Sequence, residues 1–488
     1  MKFPARFRPF LFPALGVLAL ALVAPSVARA ASQTVDSLAA LKTALADAAP
    51  GDVITVKNGI YSADATIAVG AVGTAAQPIT ITAETIGGVE ISGTQGFKVS
   101  EPAAHVIISG FLFTHAAGKI SIADGASHVR FTRNTFVCPG EGAYLTIIGD
   151  DAQIDHNEFA TKKASGPMIA VSGPGSQVAR RLWVHHNYFH DFDNDGAAGA
   201  EMLRFGLLSS HRLSQGAGLI EYNLFARCRG VNDMVSNRSS GNTYRYNTFI
   251  DSPTSHLTIR QGNDCIVAAN YFINTEGLRI FGDRHLVFSN YFEKNYIALN
   301  LGNGDIELAD ATESPSSSHD RPDDCVIAFN TFLENATHYQ MSKRSGTALG
   351  ATNTTFANNL IVGGNLAARI DGPYPGAVWI GNILWETTKY DGLPAESFTR
   401  ADPLLVSNAD GIRRPQPGSP VLDAAKGDFP RVEFDLFGRP RAARKSVGAD
   451  EPGTAPAVAH PLTPADVGPH SELAPTTPAP TASAPATP

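Results

Sequence analysis

A chain of 488 residues with 38 Lys and Arg against 46 Asp and Glu carries a formal charge of −8, which argues against general nucleic-acid binding, since that normally needs a basic excess. Its hydrophobic content of 43% and charged content of 17% allow a large core and exclude disorder of the whole chain. A polyanionic partner would have to meet a local basic patch.

The chain opens on Lys2, Arg6 and Arg8, then an almost wholly apolar run from Leu11 to Ala24, then Ala28-Arg29-Ala30. This order predicts a signal peptide over residues 1–30 cut after Ala30, and so a periplasmic or secreted protein. No later stretch approaches the roughly 18 apolar residues of a membrane span. Ser37 stands as a cap before Leu38, Leu41 and Leu45, a spacing that predicts an amphipathic helix. Pro50-Gly51-Asp52 ends that helix, and Val53-Ile54-Thr55-Val56 reads as a strand. At the far end, residues 452–488 hold ten prolines and no Lys, Arg, Phe, Trp or Tyr, which predicts a disordered tail. The intervening residues 31–451 are expected to form one domain, and a monomer.

Within that domain a short phrase recurs, apolar residues followed by Asn and then an apolar or aromatic residue. It stands at Asn134, Asn157, Asn187, Asn223, Asn247, Asn270, Asn290, Asn330, Asn359 and Asn382, at intervals of 20 to 40 residues with most of them in the low twenties. Such a unit is too short for two helices and is rich in strand formers, so it predicts three short strands per turn of a parallel β-helix, with insertions in the longer intervals. Neighbouring coils of a solenoid bury one another, and the first helix would cap the open end. The Asn residues are expected to stack at one corner, where Asn tolerates left-handed backbone. Cys138, Cys228, Cys265 and Cys325 lack metal-type spacing and are expected to be buried free thiols, one disulfide being the alternative.

Stacking turns residues one period apart into neighbours. Counted back from the repeat Asn, Arg238, Arg260 and Arg279 stand nine, ten and eleven residues away, and Asp233, His256 and Glu276 each stand fourteen away. Residues 201–290 carry nine Arg and no Lys against seven Asp and Glu, a local positive excess in an acidic chain. Arginine's planar fork matches a carboxylate, so the implied partner is an acidic polysaccharide built of uronates.

The phrases SNRSSGNTYRYNTF (Ser236–Phe249), LTIRQGN (Leu257–Asn263), LRIFGDRH (Leu278–His285), EMLRFG (Glu201–Gly206) and PGDVITVKNGIY (Pro50–Tyr61) resemble polysaccharide lyase family six, the alginate lyases and chondroitinase B. The resemblance implies a right-handed parallel β-helix that cleaves uronate polymers by β-elimination, with a Lys as base, an Arg as acid, and calcium held by an Asn and two acidic residues. Arg260 falls on the catalytic Arg. Arg238 falls on the Lys, Gln261 on a His that follows the Arg, Val231 and Asp233 on the acidic pair, and Ala198 on the Asn. The implied calcium ligands thus shrink to Asp233 with Glu201 nearby, and weak or absent calcium dependence is expected. Arg204, Arg279, Gln261, Arg284 and His285 are the candidate substrate contacts.

Neutralising an ordinary Lys at pH 7 costs about 4.6 kcal/mol and an ordinary Arg about 7.5 to 9 kcal/mol. Arg238 is therefore the poorer base, and His256 is a rival if its ring reaches the groove. The expected activity is a polysaccharide lyase acting on a uronate polymer, alginate first. A chondroitin or dermatan lyase, a C5 epimerase and a non-catalytic glycan-binding β-helix are the alternatives.

Overall fold

The computed structural model describes residues 30–193, 199, 201–229, 232–308, 318–341, 349–371, 374–387 and 389–472. The expected leader lies outside these residues but for its last, Ala30, as do Ala198 and Val231.

Among the described residues forty-one strands form three parallel sheets of 14, 13 and 14 strands, and between the two ends of the stack every third strand belongs to the same sheet. This is the right-handed parallel β-helix that the repeat implies. One coil shows the plan: Thr243–Arg245 lies in the first sheet, Thr248–Ser252 in the third and His256–Ile259 in the second. Helix α1, Leu38–Ala46, closes the N-terminal end, capped by the Ser37 hydroxyl, which accepts from the Ala40 amide at 3.2 Å. Its buried face of Leu41, Ala44 and Leu45 covers the first coils.

The ten repeat asparagines form one buried ladder. Each amide Nδ2 but the last donates to the Oδ1 of the Asn on the next coil, at 3.0 Å for Asn247 to Asn270 and for Asn270 to Asn290, and Asn382 ends the ladder on the Phe356 and Ser397 carbonyls. The same Oδ1 takes the backbone N–H of the preceding rung's Asn, at 3.0 Å for Asn247. The left-handed residue at this corner is not the Asn, as expected, but the one before it: Tyr246, Ala269 and Ser289 have φ of 56°, 53° and 56°. The Asn is fixed by its buried side chain, and the strain of turning the corner falls on the residue before it. Two residues after each of the first eight Asn an inward ring continues the stack. Phe136, Phe159, Phe189, Phe225, Phe249, Phe272, Phe292 and Phe332 lie with successive centroids 4.6 to 4.9 Å apart.

The coils end at Phe398–Arg400, earlier than the expected boundary at 451. Residues 402–451 turn back along the outside, setting Ile412, Val421, Leu436, Phe437 and Val447 against Tyr271, Tyr291, Leu333 and Leu360. Residues 452–472 also differ from the expected disordered tail. Leu462 and Val467 are buried against Leu224, and Arg133 donates to the carbonyls of Pro469 and Ser471 at 2.5 and 3.0 Å. A proline-rich segment cannot build its own core, but a few apolar anchors suffice on a surface already formed. All four cysteines are buried and free.

Candidate active site

Four consecutive strands of the second sheet, Leu203–Phe205, Asp233–Asn237, His256–Ile259 and Leu278–Ile280, carry the Arg-rich phrases. Strand alternation sends Leu203, Val235, Leu257 and Leu278 into the core, and turns Arg204, Ser236, Thr258 and Arg279 outward as one registered row. Beyond the strand ends, Arg238 and Arg260 form a second row, one rung apart: the Arg238 amide donates to the Phe205 carbonyl at 2.7 Å, and the Arg260 amide to the Asn237 carbonyl at 2.8 Å.

The turn that holds Arg238 is braced from inside. Asn237 is fully buried, donates to the Ser239 carbonyl at 2.7 Å, and accepts from Asn242 Nδ2 at 2.8 Å and the Tyr244 hydroxyl at 3.0 Å.

Arg279 does not continue the Arg238–Arg260 row. It stands in the middle row under Thr258, and Phe281 is the residue that follows Arg260 by register. By register the row stands nine, ten and nine residues before its Asn, because corner length varies by a residue, and the steady count of nine, ten and eleven therefore missed it on the third coil. Asp233 and His256 are paired as the spacing implied, and His256 Nε2 lies 3.2 Å from Glu276 Oε2.

Asp233 is the hub of the cluster. Its Oδ1 accepts from the Thr258 hydroxyl at 2.7 Å and from Arg279 Nη2 at 2.7 Å, and its Oδ2 from Arg260 Nη1 at 3.2 Å. Burial pushes this carboxyl up, but Arg279, Thr258 and Arg260 together outweigh it and hold the group below its usual range. Glu201, 7% exposed, behaves oppositely: burial raises it, with Arg204 Nη1 standing off at 4.0 Å. Arg238 is pushed down to about 10 by burial and by the like charges of Arg204 and Arg260, which Glu201 and Asp233 only partly offset. Among the described residues, Glu201 Oε2, the Ser236 hydroxyl and the Nε atoms of Arg204, Arg238 and Arg279 are buried with no hydrogen-bond partner. Such a concentration of unsatisfied polar atoms marks a place that a polar ligand or water must complete.

Three candidates stand apart from this groove. The His256 ring is buried, its Nδ1 donating to the Asn232 carbonyl at 2.9 Å, and burial and Arg279 depress it to about 4. Both nitrogens are occupied, so it does not present a free base. His285 is 1% exposed, with Nδ1 accepting from the Cys265 amide at 3.1 Å and Nε2 donating to the Phe281 carbonyl at 3.0 Å. It holds the corner together and is not a substrate contact, contrary to expectation. Arg284 is tied to Asp264, Nε to Oδ1 at 2.9 Å. Gln261, by contrast, sits directly after Arg260 and reaches the Ser318 carbonyl at 3.5 Å.

The calcium that the resemblance implies does not fit these residues. Both Asp233 oxygens are taken by guanidinium and hydroxyl donors, Arg204 and Arg238 flank Glu201, and among the described residues no group of three His, Cys, Asp or Glu is placed to hold a metal ion. A divalent cation there would face four guanidinium groups instead of the several anionic oxygens it requires. Thr258 and Ser236 had no signal in a residue-type search, because only the register reveals them.

The chondroitinase B family model matches residues 35–368. Among solved structures, the family-six alginate lyase AlyGC superposes with a TM-score of 0.70 at 25% identity, covering 80% of this chain and 56% of that one. A mannuronic acid specific family-six lyase from human gut microbiota gives 0.64 at 23%, covering 76% and 91%. A family-six polysaccharide lyase from Pseudopedobacter saltans gives 0.56 at 22%, covering 75% and 94%. The chain therefore spans about half of the AlyGC chain and most of the other two. No curated protein matches it.

Proposed function

The chain belongs to the chondroitinase B family, polysaccharide lyase family six, and from that premise we propose that it cleaves a uronate polymer, alginate as first choice, by β-elimination. The observation that carries this reading is the pair Arg238 and Arg260, one rung apart on the outer face of the helix, with Arg238 pushed down to about 10. Alginate is preferred because the structural relatives named above include AlyGC, described as an alginate lyase.

In the mechanism, the uronate carboxylate lies against the guanidinium groups of Arg204 and Arg279, which draw charge from C5 and acidify its proton. Arg238, in the position of the family's Lys, takes that proton in its neutral form. At about 10, its neutralisation at pH 7 costs about 4 kcal/mol, comparable with an ordinary lysine and far below an ordinary arginine. Arg260, aligned and half-neutralised by Asp233, donates to the departing O4, and a 4,5-unsaturated end results. The two hydrogen-bonding rows supply the donors that a hydroxyl-rich, carboxylated chain accepts. Positive neutralisation comes from arginine, so no step passes through a metal. Export belongs to the same reading, supported by the leader-like order of residues 2 to 30 and by a polymer too large to be taken up intact.

The test is ultraviolet absorbance of new unsaturated ends during incubation with alginate, pectate, dermatan sulfate and hyaluronan. A rise with alginate is expected. A changed epimer ratio without a rise would instead assign a C5 epimerase, and binding without either change would assign a glycan-binding protein.

A further inference from the structure

Two insertions flank the arginine coils. Residues 206–218, with a short 3-10 helix at Ser209–Leu213, precede them, and residues 303–308 and 318–323 follow. Their link is a buried ion pair across 108 residues of sequence: Arg212 Nη2 donates to Asp320 Oδ2, and the side chains are 1% and 2% exposed. Each partner is also bolted to the coils that carry the arginines. The Arg212 carbonyl accepts from the Ser240 hydroxyl at 2.7 Å, and that oxygen accepts from the Asn263 amide at 2.9 Å. Asp320 Oδ1 accepts from the Leu308 amide at 2.9 Å, and its carbonyl accepts from the Gly282 amide at 3.3 Å.

The two residues before Asp320 reach toward the groove. The Ser318 carbonyl meets Gln261 Nε2 at 3.5 Å. The His319 ring centroid lies 4.3 Å from that of Phe281, the third member of the Arg238–Arg260 row, and the Arg279 guanidinium stands 5.8 Å from the same Phe281 centroid. A buried ion pair is a poor adhesive, because removing two charges from water costs about as much as their attraction returns. Two apolar side chains would glue these insertions as well. What a guanidinium–carboxylate pair adds is direction, a fixed separation and orientation of the two backbones.

We infer that Arg212 and Asp320 are positioning residues that join the two insertions into one wall of the groove and, through Ser318 and His319, hold Gln261 and Phe281 where a sugar bound beside the Arg260 subsite rests. This rests on the lyase reading for its kinetic consequence and on the geometry alone for its structural one. The wall binds substrate equally in ground and transition states, so its loss shows in KM and hardly in kcat.

The experiment compares Asp320→Ala, Asp320→Asn and the unaltered protein. In Asp320→Ala, KM for the cleaved polymer is expected to rise about ten-fold with kcat within about two-fold. Asp320→Asn, which keeps one acceptor oxygen where Arg212 and the Leu308 amide use two, is expected to recover part of that loss. Amide hydrogen exchange, read on the same proteins, should show residues 206–218 and 318–323 losing protection together in Asp320→Ala while the coil strands keep theirs. An unchanged KM, a fall in kcat alone, or lost protection in one insertion without the other would overturn the inference. If the unaltered protein cleaves no polymer, the lyase reading fails, and the exchange result alone still upholds or overturns the joined wall.

Discussion

In the proposed mechanism Arg238 is the base, and its titration sets the rate. Its guanidinium, at about 10 because of burial and then Arg204 and Arg260, must be neutral to accept a proton. Only a small fraction is neutral at pH 7, and that fraction grows about ten-fold per pH unit up to the pKa. The rate, kcat/KM, should therefore climb with unit slope from pH 7 to about 9 and level near 10. Arg238→Lys should move the plateau to lower pH and raise the rate at pH 7, since lysine starts near 10.4 and would meet the same burial and like charges. A flat profile over pH 7 to 9 would remove Arg238 as base. Arg260→Ala should reduce production of unsaturated ends by a factor of about 10³ or more while leaving the far-ultraviolet dichroism unchanged, and turnover within ten-fold of the original would show that O4 leaves without it. Because arginines occupy Asp233 and flank Glu201, treatment with a chelator should leave the rate unaltered, whereas loss restored by added calcium would refute an arginine-based site. Arg238 and Arg260 were legible in the sequence because 22 residues separate them, one coil. Phe281, Thr258 and Ser236 were not, since corner lengths vary by a residue and only the strand register aligns them. His285 misled for the same reason: a phrase that resembles a groove segment ends with its last residue turned inward.

At the level of the repeating element, the Asn–x–Phe phrase encodes two stacks at once. The amide ladder satisfies buried backbone N–H groups at the corner, and the ring two residues on fills the interior at the spacing of the coils. The ladder was readable because the Asn recurs through every insertion, while the left-handed position before each Asn was not, since Tyr, Ala, Ser, His and Phe all occupy it. Asn270 takes part in five contacts, donating to Asn290 Oδ1, the Tyr244 carbonyl and the Ala268 carbonyl and accepting from the Asn247 backbone and side chain. Asn270→Ala strands several buried polar groups on both neighbouring coils, so a loss of about 3 kcal/mol or more is expected in chemical denaturation. A loss under about 1 kcal/mol would mean that the ladder is not needed to satisfy those groups. The insertions escaped prediction in detail because the Arg212–Asp320 pair joins segments with no common period.

For the whole molecule, buried neutral histidines set the acid limit. Burial is the main cause that depresses His185 to about 3 and His186, His285 and His338 to about 4. An unfolded histidine binds its proton near 6.5, so between that pH and the depressed values the unfolded chain holds more protons than the folded one. Stability is therefore full above about 6.5 and is lost as pH falls toward 4, by up to about 1.4 kcal/mol per pH unit for each histidine. Denaturation midpoints measured from pH 8 to 4 should be level and then drop, and a level line down to pH 5 would contradict the buried neutral state. A stack of coils that touch only their neighbours would ordinarily melt piecemeal from its ends. Here the segment after Arg400 runs back over the finished stack and reaches Arg133 from Pro469 and Ser471, contacts separated by 336 and 338 residues. Those contacts close very long loops among the described residues and need the coils beneath them in place. The solenoid is thus a zipper with a latch: coils can be laid down one after another, but once the latch is shut, fraying at one end must also release strands many coils away, and the array opens as a single cooperative unit.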